Sequence, residues 1–276
     1  MAQTDMKSSE KRIALNRQLI TRVVIIISLV IIAAFLASPP WSILDKADLV
    51  GYAICHRLPE RSFNLGGRQL PLCARCSGTF LGALLGLATL WLRGRRRAGA
   101  LPPTGVLIIL ASFIALMGID GLNSYMTLFP NAPHLYEPSN ILRLTTGTLN
   151  GLALSAIVYP IFSFTLWRQA EPQRSIQGFR ELAILLALDA LLVLIIQAQI
   201  DFLLYPLAIL SVLGVLTMLT LINTMIVLII IRRESMATTW HEVLMPLLLG
   251  LVATSFEIGI MDLMRILLTQ RMNLPL

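Results

Sequence analysis

LLYPLAILSVLGVLTMLTLINTMIVLIII occupies residues 203–231, and no charged side chain interrupts it. About 20 helical residues cross the hydrocarbon layer of a bilayer, so this run spans one with length to spare. Tilt, or a break at Pro206, absorbs the surplus. Working outward, apolar runs recur at roughly 19–37, 77–92, 105–120, 141–167, 182–200 and 243–264, which makes seven spans. The run at 105–120 is short, and the one at 141–167 is long enough to need tilt or a break at Pro160.

Composition agrees with that reading. Hydrophobic residues make up 56% of the 276, charged residues only 13%, and mean hydropathy is +0.77. The sequence therefore predicts an all-α, polytopic membrane bundle of about seven transmembrane helices. The spans leave no room for a soluble domain of ordinary size, about 100 residues or more. Three parts follow: 1–40 as a tail with the first span, 41–168 as a Cys/His-containing membrane domain, and 169–276 as a C-terminal extension of three helices. Lys11, Arg12, Arg17 and Arg22 ahead of the first apolar core also fit a secretory signal, but no small-residue cleavage site follows and a retained helix is expected.

The basic residues orient the bundle. A cytoplasmic N-terminus places 14 of the 22 Lys and Arg residues on the inner side, among them Arg93, Arg95, Arg96, Arg97, Arg168, Arg174, Arg180, Arg232 and Arg233. The C-terminus then lies outside, and the protein is a multi-pass protein of the cell membrane whose partner is the lipid bilayer. That topology accounts for the basic pI of 9.8 without any nucleic acid. Arg95 to Arg97 also suit anionic head groups.

This orientation puts residues 38–76 outside the cytoplasm. Trp41 to Ile54 reads as an interfacial helix with Ile43, Ala47, Val50 and Ile54 on its apolar face. Ser42 and Asp45 have the spacing of a capping box, with Asp in place of Glu. The helix delivers Cys55 to the membrane surface, and a turn at Gly66-Gly67 folds the chain back so that Cys73 and Cys76 approach it. These three cysteines are all the chain has.

Cys55-His56, Arg61-Ser62-Phe63, Cys73-Ala74-Arg75-Cys76 with Gly78 and Gly82, Asp120-Gly121, and Asn140-x-x-Arg143 with Gly147 and Gly151 occur in an order that resembles one known family. It is a group of uncharacterised bacterial and archaeal membrane proteins called domain of unknown function 2085. The resemblance runs from about residue 50 to 155. It implies a membrane protein and supplies no activity.

Cys55, His56, Cys73 and Cys76 offer three thiolates and an imidazole, a set suited to tetrahedral zinc and also to copper(I) or iron. His134 is a substitute ligand, because adjacent side chains such as Cys55 and His56 seldom aim at one centre. A bound transition metal, zinc by preference, in a structural or catalytic role is the leading expectation. The competing chemistry is thiol-disulfide exchange by Cys73 and Cys76 with Cys55, favoured by a helix N-terminus and Arg75. A structural disulfide or inert thiols are the plain alternative. Ser77 follows Cys76 where c-type haem attachment needs histidine.

Gly78, Gly82 and Gly86 on one span, and Gly147 and Gly151 on another, form small-residue faces that should pack together. Such packing brings Arg143 near the thiols, where an Asp120–Arg143 pair is expected, as an ion pair or as catalytic groups. Asp189, Gln197 and Asp201, with Glu257 and an Asp262/Arg265 pair, suggest a third role, transport of a small solute or ion through Asp189. No phosphate-binding glycine loop, HExxH or GxSxG occurs.

Overall fold

The structure, a computed structural model, describes residues 19, 22–127, 129 and 133–272. Lys7, Lys11, Arg12 and Arg17 of the basic tail lie outside the described residues. Eight helices are described: α1 (Arg22–Ala37), α2 (Ile43–Ile54), α3 (Ala74–Leu92), α4 (Thr104–Met126), α5 (Asn140–Leu166), α6 (Phe179–Gln197), α7 (Leu204–Ile230) and α8 (Trp240–Met272). Five of them, α3, α4, α5, α7 and α8, are long and apolar enough to cross a membrane. With α1 and α6 they match the seven expected runs, and α2 is the short helix expected between Trp41 and Ile54.

Helix α5 is the centre of the bundle, packed against α3, α4, α6 and α7. Its seam with α3 is the tightest contact. A Cβ built at Gly82 would stand 2.3 Å from the carbonyl oxygen of Thr148, and one at Gly151 would stand 2.1 Å from that of Thr79. Only glycine lets the two backbones approach so far, as the paired stripes anticipated.

Of the two ways to absorb surplus length, tilt or a break at proline, the breaks are absent, and one span is longer than expected. Pro160 does not break α5, which is continuous. The carbonyl of Ala156 that the missing proline N–H frees is instead satisfied by the Ser175 hydroxyl at 2.7 Å. Pro206 does not break α7 either, because it falls in the first turn, where backbone N–H groups have no helical partner. The third span is 23 residues and not short: Asp120, Asn123 and Ser124 are buried against the bundle, so the helix carries on to Met126.

The loops gather at two ends. At one end the α3–α4, α5–α6 and α7–α8 connections are knitted together: strand β3 (Ala98–Ala100) runs parallel to β4 (Glu171–Arg174), and the Arg168 N–H donates to Ala237 O. All nine loop arginines assigned to the inner side lie in or beside these connections. At the other end the α2–α3 loop meets the α4–α5 and α6–α7 connections. Arg61 donates to Ser124 O, Asn140 donates to Glu60 O, and the Gly66 N–H donates to Asp201 Oδ1.

Candidate thiol and metal site

Helix α2 sets the position of Cys55. Its buried face is Leu44, Ala47, Val50 and Gly51, so Ala47 and Val50 of the expected face are buried, while the face turns from Ile43, which is exposed, toward Leu44. Lys46 explains the turn: its ammonium is buried and donates to Phe35 O and Ser38 O at the end of α1. Ser42 makes no side-chain cap. Asp45, its expected partner, is drawn instead to Arg68, which also binds Asp48.

The return of the chain is equally constrained. Strands β1 (Asn64–Leu65) and β2 (Arg68–Gln69) form a two-residue hairpin, with φ of 56° at Gly66 and 75° at Gly67. Positive φ at both positions is what a tight hairpin of this hand requires and what glycine tolerates. Leu65, Leu70 and Leu72 are buried beneath it. Pro71 then passes directly over Gly51, where a Cβ would lie 2.0 Å from the Pro71 carbonyl oxygen. That close approach lays Cys73 beside Cys55, and the Cys73 N–H donates to Cys55 Sγ at 3.3 Å.

The sulfurs of Cys55, Cys73 and Cys76 consequently lie within 4.8 Å of one another. Cys55 is buried, the other two are partly so, and all three are free thiols. Leu72, Val212 and Val215 pack around them, with Ile258 of α8 alongside. Cys73 occupies the N-cap position of α3 without a side-chain cap bond and Cys76 lies in the first turn; both pack with Ala47 and Val50 of α2 and Val212 and Val215 of α7, away from the glycine seam. Helix α8 contributes Arg265, whose guanidinium donates to the carbonyls of Tyr52, Cys55 and His56 and stacks 3.9 Å from the centre of the Tyr52 ring. Arg265 thereby holds the Cys55 backbone, whereas Asp262 Oδ1 has no hydrogen-bond partner among the described residues; the expected Asp262/Arg265 pair gives way to this carbonyl nest.

His56 does not join the sulfurs. Cys55 has extended backbone geometry, φ −127° and ψ 142°, which sends consecutive side chains to opposite sides, and His56 is exposed. His134 lies in the α4–α5 connection within 3.0 Å of Glu137 Oε1 and is likewise not part of the group.

Hydrogen bonding makes the three thiols unequal. Thiol contacts from Cys73 and then Cys76 hold Cys55 well below the ordinary thiol range, against its burial. Cys73 is pushed up, chiefly because its thiol proton is shared with the Cys55 sulfur. Cys55 Sγ is thus the sulfur on which the Cys73 amide and the two neighbouring thiols converge.

The Asp120–Arg143 pair is replaced by another. Asp120 is 1% exposed and its carboxylate pairs with Arg75, the residue between the two cysteines of α3. The other carboxylate oxygen accepts from the Tyr136 hydroxyl at 2.8 Å, and burial followed by this contact raises the Tyr136 pKa. Arg143, also buried, donates to Asn140 Oδ1 and to Ser124 Oγ. The Arg75 backbone sits at the α3–α5 seam, 2.3 Å from a Cβ built on Gly147, so its side chain reaches Asp120 first. Sequence reasoning pairs Arg265 with Asp262 and not with the Cys55 carbonyl, and it misses Gly51 and Tyr136. Of these only Gly51, a glycine inside an amphipathic helix, leaves a local trace.

Elsewhere, Asp189 is buried on α6 and accepts from the Thr148 hydroxyl of α5 at 2.9 Å, while its Oδ1 has no partner among the described residues. Gln197 Oε1 is also without one. Asp201 holds the hairpin through Gly66, and Glu257 accepts from Asn223 at 2.8 Å. His241 is exposed at the start of α8.

The family profile described as a predicted membrane protein, domain of unknown function 2085, matches residues 55–157. That interval begins at Cys55, includes the other two thiols, Asp120 and Arg143, and ends on α5. The chain is 32% identical over 104 residues to an uncharacterised protein of Methanothermobacter thermautotrophicus, covering 38% of this chain and 83% of that one. It is 29% identical over 116 residues to an uncharacterised protein of Methanocaldococcus jannaschii, covering 42% and 68% respectively. No solved structure matches it.

Proposed function

This chain belongs to the predicted membrane protein family called domain of unknown function 2085, and from that premise we propose that its shared region holds a soft transition metal, zinc by preference, on Cys55, Cys73 and Cys76. One observation carries the reading: thiols 18 and 21 residues apart in sequence bring their sulfurs within 4.8 Å. Tetrahedral zinc with bonds of about 2.3 Å needs sulfurs roughly 3.8 Å apart, which small side-chain rotations supply. Three protein ligands leave a fourth position for water or substrate, the pattern of a catalytic and not a closed structural zinc. Arg265, the Asp45/Asp48–Arg68 pairs and the hairpin hold the ligands from outside. The bound ion would supply Lewis acidity at the surface of the bundle.

The positive-inside rule assigns the arginine-rich end to the cytoplasm and the thiols to the outer face of the cell membrane. An oxidising exterior favours a second reading, thiol-disulfide exchange, which the Cys73 amide and thiol contacts to the Cys55 sulfur support. Elemental analysis of detergent-purified protein beside its Cys73→Ser variant separates the two. The metal reading expects about one ion per chain, lost in the variant. Equal and negligible metal in both overturns it, and a reduction-sensitive Cys73–Cys76 mass difference then favours exchange.

A further inference from the structure

The arginine-rich end carries a groove that the thiol site does not use. Helices α3, α5, α7 and α8 diverge around a space of about 700 Å³. Its walls are apolar, with Leu84, Leu87, Phe162, Leu216 and Leu247 among them. Three of the four tryptophans in the chain, Trp91, Trp167 and Trp240, also line it. The Trp167 and Trp240 rings meet edge to face with centroids 4.7 Å apart, and Trp91 lies 5.7 Å from Trp240. A close-packed bundle does not retain an apolar space of this size unfilled; volumes of ~300–1,000 Å³ are those of ligand pockets.

The cations beside it are divided. Arg93 and Arg95 both pair with Glu181. Arg96 and Arg97, among the described residues, form no ion pair with a carboxylate and lie on indole faces, Arg96 5.2 Å from Trp91, and Arg97 4.1 Å from Trp167 and 5.8 Å from Trp240, with Arg97 also donating to Thr238 O. Arg96 also lines the groove. Indoles place this rim at head-group level, and two guanidiniums without carboxylates call for an anion there.

We propose that this groove is a binding site for an anionic phospholipid, with an acyl chain between α3, α5, α7 and α8 and the phosphate at Arg96 and Arg97. Charge complementarity selects the occupant. Apolar walls accept the chain of any lipid, but only an anionic head offsets two cations that lack a carboxylate. The tryptophans make the site self-reporting, because brominated acyl chains quench indole fluorescence on contact.

The test uses the full chain in a Trp41→Phe background, reconstituted in phosphatidylcholine vesicles containing brominated phosphatidylglycerol or brominated phosphatidylcholine at equal fraction. We expect phosphatidylglycerol to quench at about tenfold lower mole fraction, and the Arg96→Gln/Arg97→Gln variant to quench equally with both. Equal quenching in the parent, or a preference that survives the double variant, overturns the site. Should the variant fail to fold, native mass spectrometry of the unaltered protein decides: retained phosphatidylglycerol in preference to phosphatidylcholine supports the site, and no preference refutes it.

Discussion

The two ends of the bundle use arginine in opposite ways. At the thiol end, guanidiniums are consumed by carboxylates and backbone carbonyls: Arg68 on Asp45 and Asp48, Arg75 on Asp120, Arg265 on three carbonyls around Cys55. At the tryptophan end, among the described residues, only Arg93 and Arg95 are paired with a carboxylate, and Arg96 and Arg97 lie on indoles beside an open groove. Dense pairing fixes a loop and makes separated thiols meet. Sparse pairing leaves a surface that takes up charge from outside.

Both ends hang on the α3–α5 seam, so breaking it should remove the comparison altogether. Gly82→Leu drives a side chain into the Thr148 backbone and should abolish recovery of folded protein in size-exclusion chromatography. Gly118→Ala, which meets nothing within 4 Å, is the control and should leave the elution profile unchanged.

Next in size is the buried pair. Asp120→Asn leaves the Arg75 guanidinium without its counter-charge, a loss of about 3–5 kcal/mol for pairs of this kind. Thermal unfolding in detergent should fall accordingly. Arg143→Gln, which removes no ion pair, should lower it less; the reverse order would restore the Asp120–Arg143 pairing that the structure replaces.

Smaller effects sharpen the thiol end. Arg265→Gln frees the Cys55 carbonyl and should weaken metal binding by about tenfold, the lower end of what outer-shell partners contribute. Arg232→Gln, at the opposite end, should not alter metal binding. Metal affinity should also fall as pH is lowered. Cys73 is pushed above the ordinary thiol range and carries its proton at neutral pH, so binding must release that proton and acid opposes it. Titration of zinc affinity between pH 6 and 8 checks the sign.

Much of the fold is legible in the sequence because bilayer thickness imposes a length on every span and close helix approach imposes glycine. Runs of apolar residues and the Gly78/Gly82 and Gly147/Gly151 intervals therefore map directly onto α3, α5 and their seam. Convergence of the three thiols is legible too, since Gly66-Gly67 marks the turn. What escaped was partner choice among long side chains. Arg75 and Arg143 approach Asp120 from the same level, and which one pairs depends on backbone offsets across the seam that no spacing encodes. Arg265 lies 210 residues from Cys55, on a helix outside the matched interval. His56 offers the right donor type, but its adjacency to Cys55 on extended backbone points it away from the sulfurs.

X-ray absorption at the zinc edge of the purified protein tests the central claim most directly. Three sulfur neighbours at about 2.3 Å, with one lighter ligand completing the shell, is the predicted result. Protein that takes up no zinc, or whose zinc has fewer than three sulfur neighbours, would contradict it.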